Sequence, residues 1–389
     1  MGNVPNLRFP EFCGEWETIK VSELLDFYST NSLSWEQLDY SNGKIKNLHY
    51  GLIHKGVPTM VDVACDSLPY IKEESMLKSF TLFKEGDVAF ADASEDTNDV
   101  AKAIEVVNCD NQQIVSGLHT IHGRDNSNRT VIGYKGYAFA SDSFHKQIRR
   151  IAQGTKVFSI SVRNFDEAYI GIPSKEEQTQ IAKLLITIDK RIATPNKIIE
   201  DLKKLKSAIT DLLFHSIADA HTIRLGKIAH ITNGAGDVQD ANTEHQEDWY
   251  PFFDRSEELK WFPTYSFDKE AVIYAGEGQS FYPRYYNGKF ALHQRCYAIT
   301  DFASCIIPKY CYHFMNTLNS YFVRNSVGST VPSLRMDIFQ KVEIRLPPIP
   351  KQQHICKIID AFYTKLEVEQ RGISILQELK QFLLSQMFI

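Results

Sequence analysis

The 389-residue chain lacks the features that would place it in a membrane or outside the cell. No apolar run approaches the roughly 18 residues that a membrane-spanning helix needs. The N-terminal stretch MGNVPNLRFPEF has neither the basic start nor the apolar core of a signal peptide. We therefore expect a cytoplasmic protein with no membrane partner.

Cysteine is scarce, and its placement argues against disulfides. The seven cysteines are odd in number and form no CxxC pair, which is typical of reduced thiols in a reducing compartment. His293, Cys296, Cys305 and Cys311 come close together along the chain, but their spacing matches no zinc pattern. Buried core thiols are the simpler interpretation, and we expect no metal site.

Catalytic motifs are missing as well. The sequence contains no GxxxxGK[ST], no HExxH and no GxSxG. It also contains no NPPY-like run, which is typical of enzymes that methylate amino groups. Asp87, Asp92, Glu95 and Asp96 cluster, but no PD…ExK spacing follows, and such runs are usually solvated loops. We expect a non-catalytic protein without a cofactor of its own.

Positive charge is also in deficit, because the formal net charge is −5. A free-standing nucleic-acid binder is usually basic, although local patches rather than the total decide the field at a surface. The acidic total indicates that much of the surface faces other proteins, or that partners supply part of any phosphate-binding charge.

The strongest positive signal is an internal repeat. Residues 154–214 align without a gap with residues 328–388, and 14 of the 61 aligned positions are identical. The same offset of 174 pairs Leu118-His119 with Leu292-His293. Chance does not account for an ungapped match of this length, so we infer a duplication.

The beginnings of the two halves match at a different offset. ETIKVSELL at residues 17–25 is similar to HTIRLGKIA at 221–229, 204 residues later, so the first half carries about 30 additional residues before Leu118. A constant frame around a divergent middle indicates two recognition modules with different targets. The alternative is an old duplication whose loops drifted without consequence.

Each copy ends in a long helical pattern that begins beside a proline. Apolar residues recur at spacings of 3 and 4 over residues 174–214 and 348–388, as in a coiled-coil seam. A helix of about 40 residues is ~60 Å long and cannot bury a seam against itself. We predict that the two helices pack antiparallel against each other, and helices packed separately on their own domains are the alternative. The seam residues are Ile181, Leu185, Ile188, Ile192, Ile199, Leu202 and Ile209, then Ile355, Ile359, Phe362, Leu366, Ile373, Leu376 and Leu383.

Four residues interrupt the two seams at matching places: Pro195 and Lys206 in the first, Glu369 and Lys380 in the second. Polar seam residues cost stability but fix register and orientation, so Lys206 and Lys380 either pin the pairing or contact a helix of a partner. The stretch TPNKIIEDL reads as a helix start, with Thr194 as N-cap. We therefore expect a kink or short break at Pro195.

Between the helices the pattern is mixed α/β. Strands are predicted at 79–91 and 267–278, and helices at 142–154 and 312–328. Basic, polar and aromatic residues interleave, most clearly in GQSFYPRYYNGKFALHQR at 278–295, which suits contacts to phosphates and base edges. For each residue, a solvated loop or a packed side chain is the alternative. The candidates for DNA binding are Asn98, Lys102, His119, His122, Arg124, Arg129, Tyr134 and Lys135, then Gln279, Arg284, Asn287, Lys289, His293, Gln294 and Arg295.

Several longer stretches carry a family resemblance. LRFPEF at 7–12 is followed by Trp16, IPSKEEQTQIAKLLITID lies at 172–189, and LPPIPKQQHICKIIDAF lies at 346–362. LKKLKSAITDLLF and LQELKQFLLSQMF close the two helices. In this order and duplication, these stretches resemble the specificity (S) subunit of a type I restriction-modification system over essentially the full length. Pro195 departs from the pattern, because it interrupts a helix that the family keeps continuous.

The resemblance implies an α+β fold in which two long antiparallel coiled-coil helices join two α/β target-recognition domains, with a pseudo-two-fold repeat. The expected bounds are 1–172 for the first recognition domain, 173–218 for the central spacer helix, 219–346 for the second domain and 347–389 for the C-terminal spacer helix. Each domain is expected to read half of a bipartite double-stranded DNA site, with the helices setting the gap. The family's base contacts vary, so no individual contact residue is carried over.

The resemblance also implies assembly with two methyltransferase subunits, which two restriction and translocase subunits can join. S-adenosylmethionine, ATP and Mg would belong to those partners. Two other hypotheses stay open: a non-catalytic scaffold that binds methyltransferase subunits but reads DNA weakly, and an unrecognised enzyme in the loop at 278–295.

Overall fold

The protein, described by a computed structural model over residues 3–77, 80–215, 219–328 and 330–389, divides into two compact units. Residues 1–196 and 371–389 form the first unit, and residues 197–370 form the second. Ser79 of the predicted strand and residues 216–218 of the predicted spacer helix lie outside the described residues. Of the helices within the described ranges, none is long and apolar enough to cross a membrane.

The first unit is a mixed α/β fold with two larger sheets. Its strands are β1 (Glu17–Lys20), β2 (Asp26–Tyr28), β3 (Leu38–Asp39), β4 (Ile45–Leu48), β5 (Met60–Asp62), β6 (Tyr70–Ile71), β7 (Val88–Ala91), β8 (Ala93–Ser94), β9 (Ala103–Asn108), β10 (Gln113–Ser116), β11 (Thr120–Arg124), β12 (Phe158–Ser159) and β13 (Tyr169–Ile172). Its helices are α1 (Val21–Leu24), α2 (Tyr50–Lys55), α3 (Tyr134–Phe139), α4 (Asp142–Ile151) and the first part of α5 (Lys175–His215). One sheet has the strand order β2-β11-β7-β9-β5, and the other has the order β10-β4-β6-β3.

The second unit is built around one six-stranded sheet. Its strands are β14 (His221–Arg224), β15 (His230–Asn233), β16 (Tyr250–Phe253), β17 (Lys260–Phe262), β18 (Phe267–Ala275), β19 (Arg284–Leu292), β20 (Cys296–Thr300) and β21 (Glu343–Leu346). Its helices are α6 (Pro308–Met315), α7 (Asn319–Asn325), α8 (Met336–Gln340) and the first part of α9 (Ile349–Gln386). The sheet order is β15-β20-β18-β19-β16-β17.

The main sheets of the two units share one topology. The order β2-β11-β7-β9-β5 corresponds strand by strand to β15-β20-β18-β19-β16. In both sheets the first three neighbouring pairs are antiparallel and the fourth is parallel. The units differ in what is added, because the first carries a separate four-stranded sheet and the second extends its sheet with β17.

A second shared element explains why the sequence repeat has two offsets. In the first unit β1 pairs with β13, with Glu17 opposite Ile172 and Lys20 opposite Tyr169. In the second unit β14 pairs with β21 in the same register, from His221 opposite Leu346 to Arg224 opposite Glu343. The segment that repeats after 204 residues thus pairs with the segment that repeats after 174, and the variable chain lies between them.

The predicted long helices are confirmed, since α5 and α9 begin and end within two residues of the bounds expected from the seam pattern. They pack antiparallel: in the first unit Asp189 of α5 pairs with Lys380 of α9, and in the second Lys206 of α5 lies against Tyr363 of α9. The mixed α/β fold with two paired helices is therefore as expected.

Of the kink or short break predicted at Pro195, the break is wrong, because α5 continues through the proline; the kink stays a prediction. An internal proline removes one hydrogen-bond donor and crowds the preceding turn, but the neighbouring seam residues Ile192 and Ile199 are half-buried and buried. Thr194 does not cap a new helix: its Oγ1 donates to the carbonyl of Lys190, 3.0 Å away and one turn back. Packing on the seam outweighs the local helix-breaking signal.

The shorter predictions met mixed outcomes. The predicted helix at 142–154 is α4, and the predicted strand at 267–278 is β18. Of the strand predicted at 79–91, only β7 at its end forms. The single helix predicted at 312–328 is two helices, α6 and α7, separated by a turn at residues 316–318. The carbonyl of Met315, which would accept the Asn319 N–H in a continuous helix, instead accepts the Leu318 N–H and the Tyr274 hydroxyl.

Candidate nucleic-acid interface

Two of the first unit's predicted residues are exposed. The Asn98 side chain accepts a hydrogen bond from Arg149 Nη1 at 3.0 Å. His119 lies in the turn before β11, and its Nδ1 is 3.1 Å from Oδ1 of Asp92. Both side chains present polar atoms at the surface, where a nucleic acid can reach them.

Lys102 and Arg129 are partly covered and already paired. Lys102 Nζ donates to the carbonyl of His54 at 2.9 Å, and Arg129 forms an ion pair with Glu17. Their charges are partly neutralised within the unit, so they are weaker candidates for phosphate contacts than a free surface cation.

His122 and Arg124 belong to a buried network around Asp87. His122 is completely buried, with Nε2 2.8 Å from Asp87 Oδ2, and its ring stacks on Phe83 at 4.0 Å. Arg124 donates Nε and Nη2 to the two oxygens of Asp87 at 2.8 and 2.6 Å. Burial alone would raise the pKa of Asp87, but these hydrogen bonds outweigh it and lower the pKa below its usual value.

Lys135 is buried as the partner of Glu105. Its Nζ lies 3.3 Å from Glu105 Oε1, whose carboxylate also accepts the backbone N–H groups of Gly133 and Gly136. Burial raises the pKa of Glu105, and Lys135 opposes that shift. The prediction that His122 and Lys135 face DNA is therefore corrected, because both stabilise buried carboxylates inside the unit.

Tyr134 is also a core residue. The side chain is fully buried, and its hydroxyl donates to the carbonyl of Gly171 at 2.6 Å. Tyr310 donates to the carbonyl of Arg345 at the same distance in the second unit. This pair of tyrosines fastens equivalent helices, α3 and α6, to equivalent strands.

In the second unit the β18–β19 hairpin presents several of the predicted residues. Asn287 and Lys289 are exposed on β19, and Lys289 Nζ lies 4.7 Å from the centre of the Tyr265 ring. Gln279 is exposed beyond the end of β18. Arg284 is half-buried and donates to the backbone carbonyl of Ser256, so its guanidinium is partly engaged.

His293, Gln294 and Arg295 line a surface groove of about 530 Å³. Arg295 Nη1 pairs with Glu277 Oε1 at 2.8 Å, and Nδ1 of His293 accepts the backbone N–H of Arg295 at 3.2 Å. The groove is also lined by Arg255. Among the residues predicted in this unit, these three come together around one concave surface.

The cysteines that follow this groove along the chain differ in burial. Cys296 and Cys311 are buried while Cys305 is exposed, and burial raises the pKa of the Cys296 thiol to about 11. Within the described part of the chain, no group of three or more His, Cys, Asp or Glu side chains is arranged to hold a metal ion. Reduced core thiols describe Cys296 and Cys311.

The predicted seam residues all lie inward on the two long helices. Those that are buried are Ile181, Leu185, Ile188, Ile199, Ile355, Ile359, Ile373 and Leu383. Those that are half-buried are Ile192, Leu202, Ile209, Phe362, Leu366 and Leu376.

The two seam lysines occupy equivalent places with different partners. In the first unit Lys380 Nζ lies 2.6 Å from Oδ1 of Asp189, whose other oxygen accepts the hydroxyl of Tyr137 at 2.7 Å. In the second unit Lys206 Nζ lies 4.1 Å from the ring centre of Tyr363, the residue 174 positions after Asp189. Each lysine therefore meets the same position of the facing helix, through an ion pair in one unit and a cation–π contact in the other.

One repeated residue has a structural role that the sequence indicated only by identity. Gln178 is fully buried; its Nε2 donates to the carbonyls of Arg129 and Pro173 at 3.2 and 3.0 Å, and its Oε1 accepts the N–H of Val131 at 2.8 Å. Gln352 is equally buried; its Nε2 donates to the carbonyls of Cys305 and Pro347, and its Oε1 accepts the N–H of Ile307. The glutamine ties the start of each long helix to the loop before α3 or α6.

A family of known proteins matches the two halves of the chain separately. A model of the type I restriction modification DNA specificity domain family matches residues 14–204 and again residues 218–381. The specificity subunit of the Escherichia coli type I restriction enzyme EcoDI is 30% identical over 165 residues. That match covers 42% of this chain and 36% of the relative, so it spans about a third of that relative's length.

Two solved structures have the same fold. The crystal structure of a type I restriction-modification S subunit from M. genitalium matches with a TM-score of 0.67 at 16% identity and covers 99% of both chains. A chain from a structural study of type I R-M complex assembly and conformational transition matches with a TM-score of 0.57 at 14% identity, covering 95% of this chain and 96% of that one. The two structures show the fold, and the family model that matches both halves establishes that the chain belongs to the type I restriction modification DNA specificity domain family.

Proposed function

We propose that this chain is the DNA-reading subunit of a type I restriction-modification complex and that each unit reads one half of a bipartite site. The observation that carries the proposal is the duplicated five-strand sheet with unlike additions. A shared frame lets two units engage DNA in the same way, whereas different additions give them different base preferences. Membership of the specificity family supports the same conclusion.

Residues 1–172 and 219–346 are the recognition domains in this proposal, and 173–218 and 347–389 are the spacer helices. The seam residues support this division, since they lie buried or half-buried along both α5 and α9. A pair of antiparallel helices with a fixed register can set a constant number of base pairs between two half-sites.

Catalysis and its cofactors are assigned to partner subunits. We propose that two methyltransferase subunits bind this chain, supply S-adenosylmethionine and methylate adenine, and that two restriction subunits add ATP- and Mg-dependent cleavage. The name of the Escherichia coli relative, a specificity subunit of a restriction enzyme, supports a complex of this kind. The net charge of −5 fits a chain whose partners contribute to DNA binding.

The direct experiment is to express this chain with its cognate methyltransferase subunit in cells that lack other adenine methylation and to sequence the methylated adenines. A gapped two-part motif is expected. Methyltransferase binding without a sequence motif would favour the scaffold hypothesis, and turnover of DNA by the isolated chain would favour the enzyme hypothesis. A matched culture without this chain provides the background.

The spacer can be tested by inserting one heptad after Leu202 in α5 and one after Leu376 in α9. Seven residues add ~10 Å of helix, or about three base pairs of B-DNA at 3.4 Å each. Both half-site sequences are expected to stay the same while the gap grows. A heptad in α5 alone breaks the matched register and serves as control; an unchanged gap in the double insertion would contradict the proposal.

A further inference from the structure

The dipeptide Leu-His occurs at matching places of the two units, and its surroundings point to a function. Leu118-His119 directly precedes β11, and Leu292-His293 ends three residues before β20. These are equivalent strands, the second in each shared sheet order. His119 adopts a left-handed backbone conformation with φ of 53°, which is uncommon for a residue with a side chain and is concentrated at functional positions.

A carboxylate stands beside each of these turns, at the end of the next strand in the sheet. Asp92 follows β7 directly; its Oδ1 is 3.1 Å from Nδ1 of His119, and its backbone N–H donates to the His119 carbonyl. Glu277 follows β18 by two residues and pairs with Arg295 at 2.8 Å. Each unit therefore holds a basic side chain beside a carboxylate at the same corner of the shared sheet.

Exposure distinguishes these corner pairs from the interior pairs. The His119 and Arg295 side chains are 51% and 65% exposed. His122, three residues after His119 and within β11, is 0% exposed. An interior pair stabilises the fold but cannot meet a ligand. The corner pairs are preorganised by one hydrogen bond and still keep polar atoms free toward solvent.

The chemistry of the corners suits base edges better than phosphates. A cation beside a carboxylate is a poor phosphate site, because the carboxylate repels a second anion. In the major groove, however, Arg can donate to guanine O6 and N7, the free ring nitrogen of His can form one hydrogen bond to a base edge, and Asp or Glu can accept from cytosine N4. A base pair presents both kinds of group, so one corner pair can read one base pair.

The material around the corners differs between the units, as different half-sites require. In the first unit the ring centres of Tyr50, on α2, and His119 lie 5.3 Å apart in an edge-to-face arrangement. The second unit has no α-helix in the corresponding stretch between β15 and β16, which the structure describes throughout. In the second unit the corner opens into the groove of about 530 Å³ that Arg255 and Gln294 also line. The frame fixes where the corner lies, and the additions alter what it recognises.

Building on the proposed function, we propose that the Asp92–His119 pair and the Glu277–Arg295 pair are the specificity-determining corners of the two units, each reading a base edge in its own half-site. Asp92, Glu277 and the equivalence of the two corners were not apparent from the sequence. The proposal predicts that one corner controls one half of the methylation motif and leaves the other half unchanged.

The test uses the full chain with its methyltransferase subunit and sequences methylated adenines in cells that carry Arg295→Ala, Arg295→Lys or His119→Ala. Arg295→Ala is expected to lose roughly 10- to 100-fold discrimination at one base pair of one half-site. Arg295→Lys keeps the charge but not the forked donor geometry, so it is also expected to relax that position. His119→Ala is expected to relax a position in the other half-site.

Matched controls separate recognition from folding. Arg324→Ala on α7 and Arg150→Ala on α4 remove exposed cations that belong to neither corner pair and are expected to keep the motif. Thermal unfolding of each purified variant with its methyltransferase verifies that the chain is folded. A folded Arg295→Ala or His119→Ala variant whose motif is unchanged overturns the corner proposal, whereas a wild-type chain without any two-part motif overturns the proposed function itself.

Discussion

The two units are most alike where the chain enters and leaves them and least alike in the middle. The β1–β13 and β14–β21 pairs have the same register, and Gln178 and Gln352 make the same three kinds of hydrogen bond. Between these fixed ends, the first unit inserts a four-stranded sheet, and the second adds one strand to the edge of its sheet. The difference indicates that assembly constrains the frame, while recognition is free to vary in the additions.

Buried charge gives a second contrast within this comparison. The first unit encloses Asp87 between His122 and Arg124, and both side chains of the Asp87–His122 pair are almost completely buried. In the second unit Asp254 is buried, but its partner Lys260 reaches it at 2.6 Å from a position nearer solvent. Burial would raise the pKa of Asp254, yet Lys260 and Ser256 outweigh it and lower the pKa.

The largest effect is expected from removing the charge of Asp87. Asp87→Asn should destabilise the chain by about 3 kcal/mol, because a buried Arg124 and His122 lose their carboxylate. Asp254→Asn in the second unit should cost about half as much, since Lys260 can turn toward water. Chemical denaturation at pH 7 measures both. An equal cost for both variants would contradict the contrast in buried charge.

The stability that Asp87 contributes should depend on pH in a definite direction. The pKa of Asp87 in the folded chain lies below its usual value of about 3.9, so its contribution to stability is present above that value and is lost as pH falls through the folded pKa. The stability difference between wild type and Asp87→Asn should therefore shrink below pH ~4. A difference that grew on acidification would contradict the assigned shift.

A somewhat smaller loss of stability is expected from removing either repeated glutamine, and the loss should be the same in both units. Gln178→Ala and Gln352→Ala each leave buried backbone groups without their partner, at a cost of about 2 kcal/mol. Equal losses in chemical denaturation would support a common frame. If only one of the two variants lost stability, the equivalent hydrogen bonds would not contribute equally to the free energy of unfolding.

Replacing the two seam lysines should show that the helix contact in the first unit contributes more stability than the one in the second. Lys380→Met is expected to cost about 1 to 1.5 kcal/mol, because Asp189 loses a partner in a half-buried site. Lys206→Met should cost about 0.5 kcal/mol, the range of a partly exposed cation–π contact. A double-mutant cycle with Asp189→Asn isolates the pair, and a coupling near zero would show that Lys380 does not fix the register.

A modest effect, between those of the two seam lysines, is expected from a helix cap present in one unit. The Ser141 hydroxyl accepts the N–H of Phe144 at the start of α4, whereas α7 in the second unit begins after Leu318 without a side-chain cap. Ser141→Ala should cost about 1 kcal/mol or slightly less. Thermal unfolding of Ser141→Ala beside the wild-type chain measures the loss, and an unchanged Tm would show that the hydroxyl does not cap α4.

The long helices and the duplicated ends were predictable from the sequence because their signals are local and periodic. The 3,4 spacing marked the seam residues, and the offset of 174 marked Gln178 and Gln352 before their contacts were known. The continuous helix at Pro195 was not predictable, since a proline is read locally while the packing that overrides it is tertiary.

The candidate site was only partly predictable, because a basic residue in a sequence does not reveal which carboxylate it meets. His122 and Lys135 read as surface contacts, yet Asp87 and Glu105, 35 and 30 residues away, draw them inside. His119 and Arg295 were named as candidates for DNA binding and are exposed, but that they lie at the same corner of the shared sheet depended on strand order. Topology, rather than composition, brought each beside its carboxylate.

The most direct measurement of the central claim exchanges residues 222–324 for the corresponding segment of a relative with a different second half-site and sequences adenine methylation in cells. Strand β21, α5 and α9 remain those of this chain, and a reciprocal exchange within the first unit is the control. The account predicts that one half of the motif changes while the other half and the gap are kept. A motif altered in both halves, or in neither, would contradict two independent recognition units on a common frame.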